Sequence, residues 1–350
     1  MKNKTILLIS PEPWSTIFVS KHHYAQILSE NNTVYFLNPA HGFVRSPSKG
    51  MNIQVNKVNS RLFTIDYLNL LPRLNHLPHK IQKLTYRKQA QFLKNKIERQ
   101  IDLVWSFDPY RYFDQHVWLA DKSLSHKVDL HHGAKYEAKI IDTSNYFLSL
   151  SKHLTTRGAS RNPDFITGHG LPLDQKLPYQ HECLTNNKIK AVYVGNINAL
   201  LAVNRIKKLA KRFSHVDFIL AGPSQEGLFI KHQNIIPLGK VPSNKLYSLI
   251  EQCDVCLLPL KQRKFKEINS HKLFLYLETG KVILSDPLLD YGSTTLLEFA
   301  HSDREFEHKF GDIIENLRRY NSERMIQARK DFVKGKSYKD IIQQIEDLLL

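Results

Sequence analysis

The chain has 350 residues, 42% of them hydrophobic, and a formal net charge of +17 at pH 7. This length exceeds what one hydrophobic core usually serves, so we expect two domains rather than one, and the apolar content argues against a disordered chain. No uninterrupted apolar run reaches about 18 residues, so we predict no membrane-spanning helix. The run from Ile6 to Ile9 is too short for a secretory signal.

Short apolar runs alternate along the chain with longer segments of helical periodicity. Four runs of the first half are predicted to be buried strands, TILLIS, TVYFLN, DLVWSF and VDLHH, and four of the second half, KAVYVG, VDFILAG, DVCLLP and VILS. Buried strands separated by helices predict parallel sheets with helices on both faces.

The strand and helix pattern restarts at Lys190, after a polar stretch (Gln175 to Asn187) that is typical of a linker. The sequence therefore predicts an α/β fold with two doubly wound, Rossmann-like domains, residues 1–178 and 186–335, that face each other across a cleft. A last helix, residues 338–350, is predicted to pack back on one of them, with the first domain as the candidate.

The basic excess lies mainly in the N-terminal half, above all between Pro72 and Gln100. Apolar residues recur there near helical spacing, so a basic amphipathic helix is predicted. Such a helix favours peripheral contact with an anionic membrane, while a merely solvated helix face is the alternative. No nucleic-acid-binding motif is present, so no nucleic-acid partner is expected. The basic residues are Arg73, Lys80, Lys83, Arg87, Lys88, Lys94, Lys96 and Arg99, and the apolar ones are Ile81, Leu84, Leu93, Ile97 and Ile101.

Three cysteines are too few for a disulfide framework and are typical of a cytoplasmic protein. Cys253 and Cys256 form a C-x-x-C pair, but the chain has no second pair to complete a zinc site. We therefore expect these two to be small buried hydrophobic residues, and we expect no metal site.

The segment from Asp254 to Ser285 follows the order strand, basic loop, helix, strand. The helix is predicted to begin near Asn269 and Ser270 and to end at Gly280. Cations on a loop and the free N–H groups of a helix start form an anion site, and parallel sheets bind ligands beyond the carboxyl ends of their strands. The cations are Lys261, Arg263, Lys264, Lys266 and Lys272.

Several segments together resemble the retaining group 1 glycosyltransferases, which have an E-x7-E motif and the two-domain GT-B architecture. The resemblance is densest in KIKAVYVGNI, in DFILAGP, in NIIPLGKVPSNKLYSLIEQCDVCLLPL and in HKLFLYLETGKVILS, and it includes FITGHGLPLD and VDLHHG in the first half. It implies an acceptor-binding first domain, a second domain that binds a nucleotide-diphosphate sugar, and transfer with retention of configuration.

The resemblance also implies two catalytic residues. The first Glu of the motif falls on Glu267, near the transferred sugar, and His132 precedes Gly133 as the family histidine precedes its glycine. The second Glu is replaced by Leu275, which cannot accept hydrogen bonds from a ribose. Glu278, one helical turn later, is either a substitute ribose contact or a solvated residue.

The remaining donor contacts follow from charge, because the leaving diphosphate gains negative charge as the glycosidic bond breaks. Asn196 stands after Gly195, where the family turn is followed by cations. No Asp-x-Asp motif is present, so we expect a metal-independent reaction with no cofactor beyond the donor itself. The predicted donor contacts are Lys261, Lys264, Asn269, Ser270, Lys272, Glu278, Gly195 and Asn196.

The leading hypothesis is a hexosyltransferase-like enzyme that moves a sugar from a nucleotide-diphosphate donor to a glycan or lipid-linked glycan. The basic N-terminal half suggests cell-surface polysaccharide assembly at the cytoplasmic face of the membrane. A non-catalytic GT-B protein that binds a sugar nucleotide or a glycan is one alternative, favoured by Leu275. A GT-B sugar-nucleotide epimerase is another.

Overall fold

The structure is a computed structural model that describes residues 1–15, 18–45, 50–131, 133–156, 159–172, 176–225, 232–261, 272–291 and 294–350. The strands are β1 (Thr5–Ile9), β2 (Thr33–Leu37), β3 (Gln54–Lys57), β4 (Leu62–Asp66), β5 (Leu103–Ser106), β6 (Lys122–Lys127), β7 (Tyr146–Ser149), β8 (Phe165–Ile166), β9 (Ile189–Val194), β10 (Val216–Ala221), β11 (Ile235–Gly239), β12 (Val255–Leu258), β13 (Val282–Ser285) and β14 (Glu298–Phe299). The helices are α1 (Ser20–Leu28), α2 (His79–Ile97), α3 (Glu137–Thr143), α4 (Val203–Arg212), α5 (Ser243–Glu251), α6 (Lys272–Thr279), α7 (Asp303–Glu315), α8 (Leu317–Tyr320), α9 (Glu323–Val333) and α10 (Tyr338–Leu349).

The described residues divide into two compact units, Met1–His169 with Tyr338–Leu350, and Gly170–Ser337. The described part of the polar stretch from Gln175 to Asn187 lies inside the second unit. No described helix is long and apolar enough to cross a membrane.

The first unit is built on a sheet whose strand order, among the described residues, is β3-β4-β2-β1-β5-β6-β7-β8. All neighbours pair in parallel except β3, which runs antiparallel to β4. Every residue of β1 is buried, because helices cover both faces of the sheet and leave no solvated side. One face carries α1 and α10, and the other carries α2.

The last helix, α10, belongs to the first unit although it follows the second unit in the chain. Ile345 is buried in the same apolar cluster as Tyr24 of α1. The Tyr338 ring stacks on His23 with centroids 5.0 Å apart, and Lys122 donates a hydrogen bond to the carbonyl of Leu349. The chain therefore returns to its first unit before it ends.

The second unit has a parallel sheet with the described order β11-β10-β9-β12-β13-β14. One face packs on α5, α6 and α9, and the other on α4 and α7. Cys253 and Cys256 are buried among these apolar residues, and burial raises the pKa of both thiols. The predicted α/β class with two doubly wound units is confirmed.

Candidate functional site

Two glycine turns meet at the carboxyl edge of the second unit's sheet. Gly195 follows β9 and Gly222 follows β10, with φ angles of +131° and +152°. The N–H of Gly195 donates to the carbonyl of Ala221 at 2.8 Å, and a Cβ on Gly222 would lie 2.1 Å from the Gly195 oxygen. Only glycine allows the two backbones to approach this closely. The sequence reasoning selected Gly195 but did not identify Gly222 as its partner.

Lys272 lies directly against the first of these turns. Its Nζ donates to the hydroxyl of Tyr193 at 3.0 Å and lies 4.5 Å from the centroid of that ring. Within the described residues no carboxylate pairs with this ammonium group. Desolvation lowers its pKa to about 8. An unpaired, half-buried cation at the end of a parallel sheet is suited to hold an anion.

Tyr193 connects the lysine to the turn that follows β9. Its hydroxyl accepts from Lys272 and donates to the backbone carbonyl of Asn196 at 3.0 Å. The Asn196 side chain is exposed, and the hydrogen bond to its backbone carbonyl is what fixes this residue. Tyr193 did not stand out in the sequence, where it is one aromatic residue inside a strand.

Lys261 is the last described residue before the segment 262–271, and it is exposed. Its N–H donates to the carbonyl of Leu200 at 2.9 Å, and the N–H of Ala202 donates to the carbonyl of Pro259 at 2.8 Å. These bonds fix the chain leaving β12 against the loop that precedes α4.

The buried carboxylate of Asp286 also fixes the segment that follows β12. Its Oδ2 accepts from the N–H of Leu260 at 2.6 Å and from Nη1 of Arg205 at 2.5 Å. Arg205 also pairs with Asp303 at 2.7 Å. Oδ1 of Asp286 is buried without a partner among the described residues, and burial raises the pKa of this carboxyl group. The sequence offered only one signal, an acid directly after the apolar run VILS.

Glu278 has a basic neighbour. Its Oε1 accepts from Nζ of Lys176 at 2.5 Å, and that ammonium group lies 3.8 Å from the centroid of the Tyr247 ring. Leu275 packs against the apolar cluster between the sheet and α5, α6 and α9. A ribose contact at Glu278 would therefore share the carboxylate with Lys176.

Five of the predicted site residues lie outside the described residues. They are His132, Lys264, Glu267, Asn269 and Ser270. Their predicted roles stay predictions. No group of three or more His, Cys, Asp or Glu side chains within the described ranges is arranged to hold a metal ion.

In the first unit, one buried guanidinium joins the carboxyl ends of several strands. Arg111 donates from Nε to Asp108 Oδ2 at 2.6 Å and from Nη2 to the carbonyl of Ser10 at 2.6 Å. Its Nη1 donates to the carbonyl of Asn38 at 2.9 Å and to the hydroxyl of Tyr67 at 2.6 Å. The sequence reasoning missed Arg111, because its partners are spread over a hundred positions.

His131 follows β6 at the same edge. Its Nε2 is buried and has no hydrogen-bond partner in the part of the chain that the structure describes, and burial lowers the pKa of the ring. The Tyr110 ring packs edge-on against it with centroids 5.6 Å apart. Beside it Lys127 and Glu137 form a buried ion pair at 2.7 Å. A neutral imidazole with an unused nitrogen can donate to or accept from a ligand hydroxyl.

The chain is similar in structure to several solved glycosyltransferases. Sucrose-phosphate synthase of Thermosynechococcus elongatus has a TM-score of 0.71 at 12% identity, with 99% of this chain and 98% of that chain covered. HepE of Anabaena, solved with UDP and glucose, has a TM-score of 0.66 at 12% identity and 99% coverage of both chains. WaaG, described as a glycosyltransferase involved in lipopolysaccharide biosynthesis, has a TM-score of 0.65 at 10% identity, with 98% and 99% covered.

These identities are low, so the similarity establishes the fold and nothing finer. No protein-family model matches the chain, and no curated protein sequence matches it. The chain has the GT-B fold, with two Rossmann-like α/β units in one polypeptide.

Proposed function

We propose that the chain is a glycosyltransferase that takes a sugar from a nucleotide-diphosphate donor and attaches it to a glycan or a lipid-linked glycan. The second unit binds the donor and the first unit binds the acceptor. The reaction retains the anomeric configuration, as the resemblance of the motifs implies, and it is metal-independent, since the sequence has no Asp-x-Asp motif. Its product belongs to cell-surface polysaccharide.

The observation that carries this proposal is the position of Lys272. Its ammonium group has no acidic partner among the described residues and lies against Gly195 at the carboxyl edge of a parallel sheet. That edge is where open α/β sheets bind nucleotides. HepE, which shares the fold, was solved with UDP and glucose, and this supports a nucleotide-sugar donor.

The chemistry of the transfer explains why a cation is needed at this place. The bond from sugar C1 to the diphosphate oxygen breaks, and a bond from the acceptor hydroxyl oxygen to C1 forms. The hydroxyl proton leaves with the nucleoside diphosphate. Lys272 stabilises the charge that grows on the departing diphosphate, and it does so without reorganisation because Tyr193 already holds it.

The first unit contributes a surface for a membrane-bound acceptor. On α2 the outer side chains Ile81 and Leu84 are 42% and 66% exposed. They lie among exposed cations of the same helix, of which Lys83 pairs with Asp114 at 3.3 Å. By contrast Leu93 and Ile97, which the sequence placed in one apolar set with them, are buried in the core. We propose peripheral binding to an anionic membrane through Ile81, Leu84, Lys80, Lys83, Arg87 and Lys88.

A second candidate function is a non-catalytic protein that binds a sugar nucleotide. Two observations favour it. Leu275 is partly buried and packs against the core at the position where the family pattern has its second Glu, and the nearby Glu278 is engaged with Lys176. Both functions predict nucleotide binding, so turnover is what distinguishes them.

The first experiment is a thermal-shift screen of the full chain against nucleoside diphosphates and their sugars. A donor at about 100 times its Kd stabilises the fold by about 2.7 kcal/mol. Lys272→Met is expected to reduce this shift, and Lys208→Met, which changes an exposed lysine on α4, is expected to keep it. Absence of a shift with every nucleotide would contradict both candidate functions.

The second experiment measures turnover of the donor that the screen identifies. Glu267→Ala is expected to abolish transfer while nucleotide affinity is nearly kept. Nucleotide binding by the wild-type chain without transfer to any glycan would favour the non-catalytic function. Unchanged turnover in the variant would remove Glu267 from the mechanism.

A further inference from the structure

A cavity of about 350 Å³ lies in the first unit, away from His131. It is a concave, solvent-open depression between the loop that follows β2 and the segment that follows β4. Its volume falls within the range of small-molecule sites. The lining residues are Ala40, His41, Gly42, Phe43, Asn69, Leu71, Arg73, Leu74, Asn75 and His76.

Two exposed lining residues of the cavity are Phe43 and Arg73. Phe43 is 51% exposed, so its ring is accessible to a ligand. Arg73 is exposed and has no acidic partner among the residues that the structure describes. Its backbone has a positive φ of 47°, a conformation that non-glycine residues seldom adopt. Arg73 therefore lines the cavity from an unusual backbone conformation, with an exposed cationic side chain.

Two amides add hydrogen-bond donors. Asn75 Oδ1 accepts from the hydroxyl of Tyr86 at 2.8 Å, and Asn69 Oδ1 accepts from Gln89 Nε2 at 3.3 Å. Both bonds involve the amide oxygens. The NH₂ groups of Asn69 and Asn75 make no hydrogen bond to any residue that the structure describes. With Arg73 the cavity thus offers donors and no unpaired carboxylate.

The imidazole of His41 is held by a network at the cavity wall. Its Nε2 pairs with Asp66 Oδ1 at 2.7 Å, and Asp66 also accepts from Asn38 at 2.7 Å and Asn56 at 2.8 Å. The Asp66 carboxylate is thus engaged by the His41 ring and two amides, and it is not itself a lining residue of the cavity. The lining of one cavity therefore includes a cation without an acidic partner among the described residues, two free amide NH₂ groups and an aromatic ring.

We propose that this cavity binds an anionic sugar residue, one that carries a carboxylate or a phosphate. Arg73 holds the acidic group, because its planar fork matches two oxygens of a carboxylate or a phosphate. Phe43 packs on the C–H face of the ring, and the amides of Asn69 and Asn75 donate to ring hydroxyls.

The location assigns the cavity to the acceptor, and this step rests on the proposed function. The cavity opens at the carboxyl ends of β2 and β4, the same edge that carries His131 after β6. Three strand spacings separate β2 from β6, which is roughly 14 Å. The bound residue is therefore not the sugar that receives the new bond but a more distant unit of the acceptor glycan. Its binding energy orients the acceptor.

The test measures direct binding of four probes to the full chain: glucuronic acid, glucose 6-phosphate, glucose and inorganic phosphate. Because a hydrogen bond to a charged group contributes about 1.5–3 kcal/mol, the two acidic sugars are expected to bind about tenfold or more tightly than glucose. A comparison of glucuronic acid with glucose 6-phosphate then shows whether the cavity prefers a carboxylate or a phosphate.

Three variants assign the binding to this cavity. Arg73→Gln is expected to lower acidic-sugar affinity to the level of glucose, and Phe43→Ala to weaken acidic and neutral sugars alike. Arg61→Gln removes an exposed arginine of the same unit and is expected to change neither. The melting temperature of each variant shows whether it is folded.

The proposal is overturned if glucose binds as tightly as glucuronic acid and glucose 6-phosphate, or if Arg73→Gln leaves acidic-sugar affinity unchanged. Inorganic phosphate binding as tightly as the sugar phosphate would also overturn it, since the ring would then contribute nothing. The nucleotide-induced thermal shift is recorded on the same variants. A retained shift without sugar binding rejects this inference alone, and sugar binding without any shift rejects the proposed function alone.

Discussion

The Nζ of Lys272 occupies the space that a side chain at Gly195 would need. A Cβ on Gly195 would lie 2.2 Å from this nitrogen and 2.6 Å from the neighbouring Cε. The ammonium group of Lys272 can therefore lie where it does only because residue 195 has no side chain. This arrangement brings a charged group, a tyrosine hydroxyl and a turn of backbone amides to the same point of the sheet edge.

Gly195→Ala is expected to displace the Lys272 ammonium group and to strain a backbone with a φ of +131°. We expect a loss of about 1–3 kcal/mol in the free energy of unfolding and a larger relative loss of nucleotide affinity. Urea unfolding and calorimetric titration measure the two effects. Gly335→Ala is the matched control, because Gly335 has a φ of +71° with open space around its Cβ position. If the two variants bind nucleotide equally well, the turn does not position Lys272.

The affinity for a nucleoside diphosphate is expected to fall as the pH rises through about 8, because the pKa of Lys272 is lowered to about 8. Above that pH the lysine must take up a proton before it can pair with the diphosphate. Calorimetry between pH 7 and pH 10 measures this loss. Lys272→Met should bind weakly with little pH dependence across that window. A wild-type affinity that stays constant would contradict the role of the lysine.

A rise in pH is expected to have the opposite effect on the contribution of Lys272 to the free energy of unfolding. The pKa of this lysine is lower in the folded chain than the ordinary value of 10.5, so the unfolded chain binds more protons between these two values. The contribution of Lys272 to the free energy of unfolding is therefore expected to rise with pH in that window, and to be absent in Lys272→Met.

Asp286→Ala is expected to lower the free energy of unfolding by about 3 kcal/mol, since it leaves the buried Arg205 without its inner partner. Asp303→Ala removes the outer partner, whose side chain is 62% exposed, and should change stability by less than about 1 kcal/mol. Equal losses in the two variants would mean that burial does not distinguish the two ion pairs.

Replacement of Lys80, Lys83, Arg87 and Lys88 by Gln is expected to reduce sedimentation with vesicles rich in phosphatidylglycerol. Each removed charge weakens surface binding by about 1 kcal/mol. Leu84→Gln should reduce it further, and phosphatidylcholine vesicles should bind neither form. Lys208→Gln with Lys211→Gln, on α4 of the second unit, is the charge control. If that control loses as much binding as the α2 variant, α2 is not the contact surface.

Glu278→Ala tests whether this carboxylate takes the place of the missing second Glu. We expect weaker binding of a nucleoside diphosphate and unchanged binding of inorganic diphosphate, because only the former has a ribose. The ion pair with Lys176 is partly exposed, so its loss should change stability by less than about 1 kcal/mol. Equal affinity of variant and wild type for both ligands would leave Glu278 as a partner of Lys176 alone.

The parallel strands were predictable from the chain itself. TILLI, TVYFL and VILS are apolar runs bounded by polar residues, and each is a buried strand because parallel strands are covered on both faces. The basic character of α2 was equally visible. Which face of α2 packs on the core was not predictable, because apolar residues lie on several faces of the helix. Leu93 and Ile97 are buried there, whereas Leu84 is exposed.

The candidate site was predictable only in part. A basic loop before a helix indicated an anion site, and Lys272 was among its cations. That Lys272 meets Gly195, that Gly222 packs on Gly195 and that Asp286 holds Leu260 depends on the order β10-β9-β12-β13 in the sheet. Periodicity and composition are local properties of a chain, so they determine which segments become buried strands and helices. Contacts between residues far apart in sequence follow from strand order, which only the tertiary structure decides.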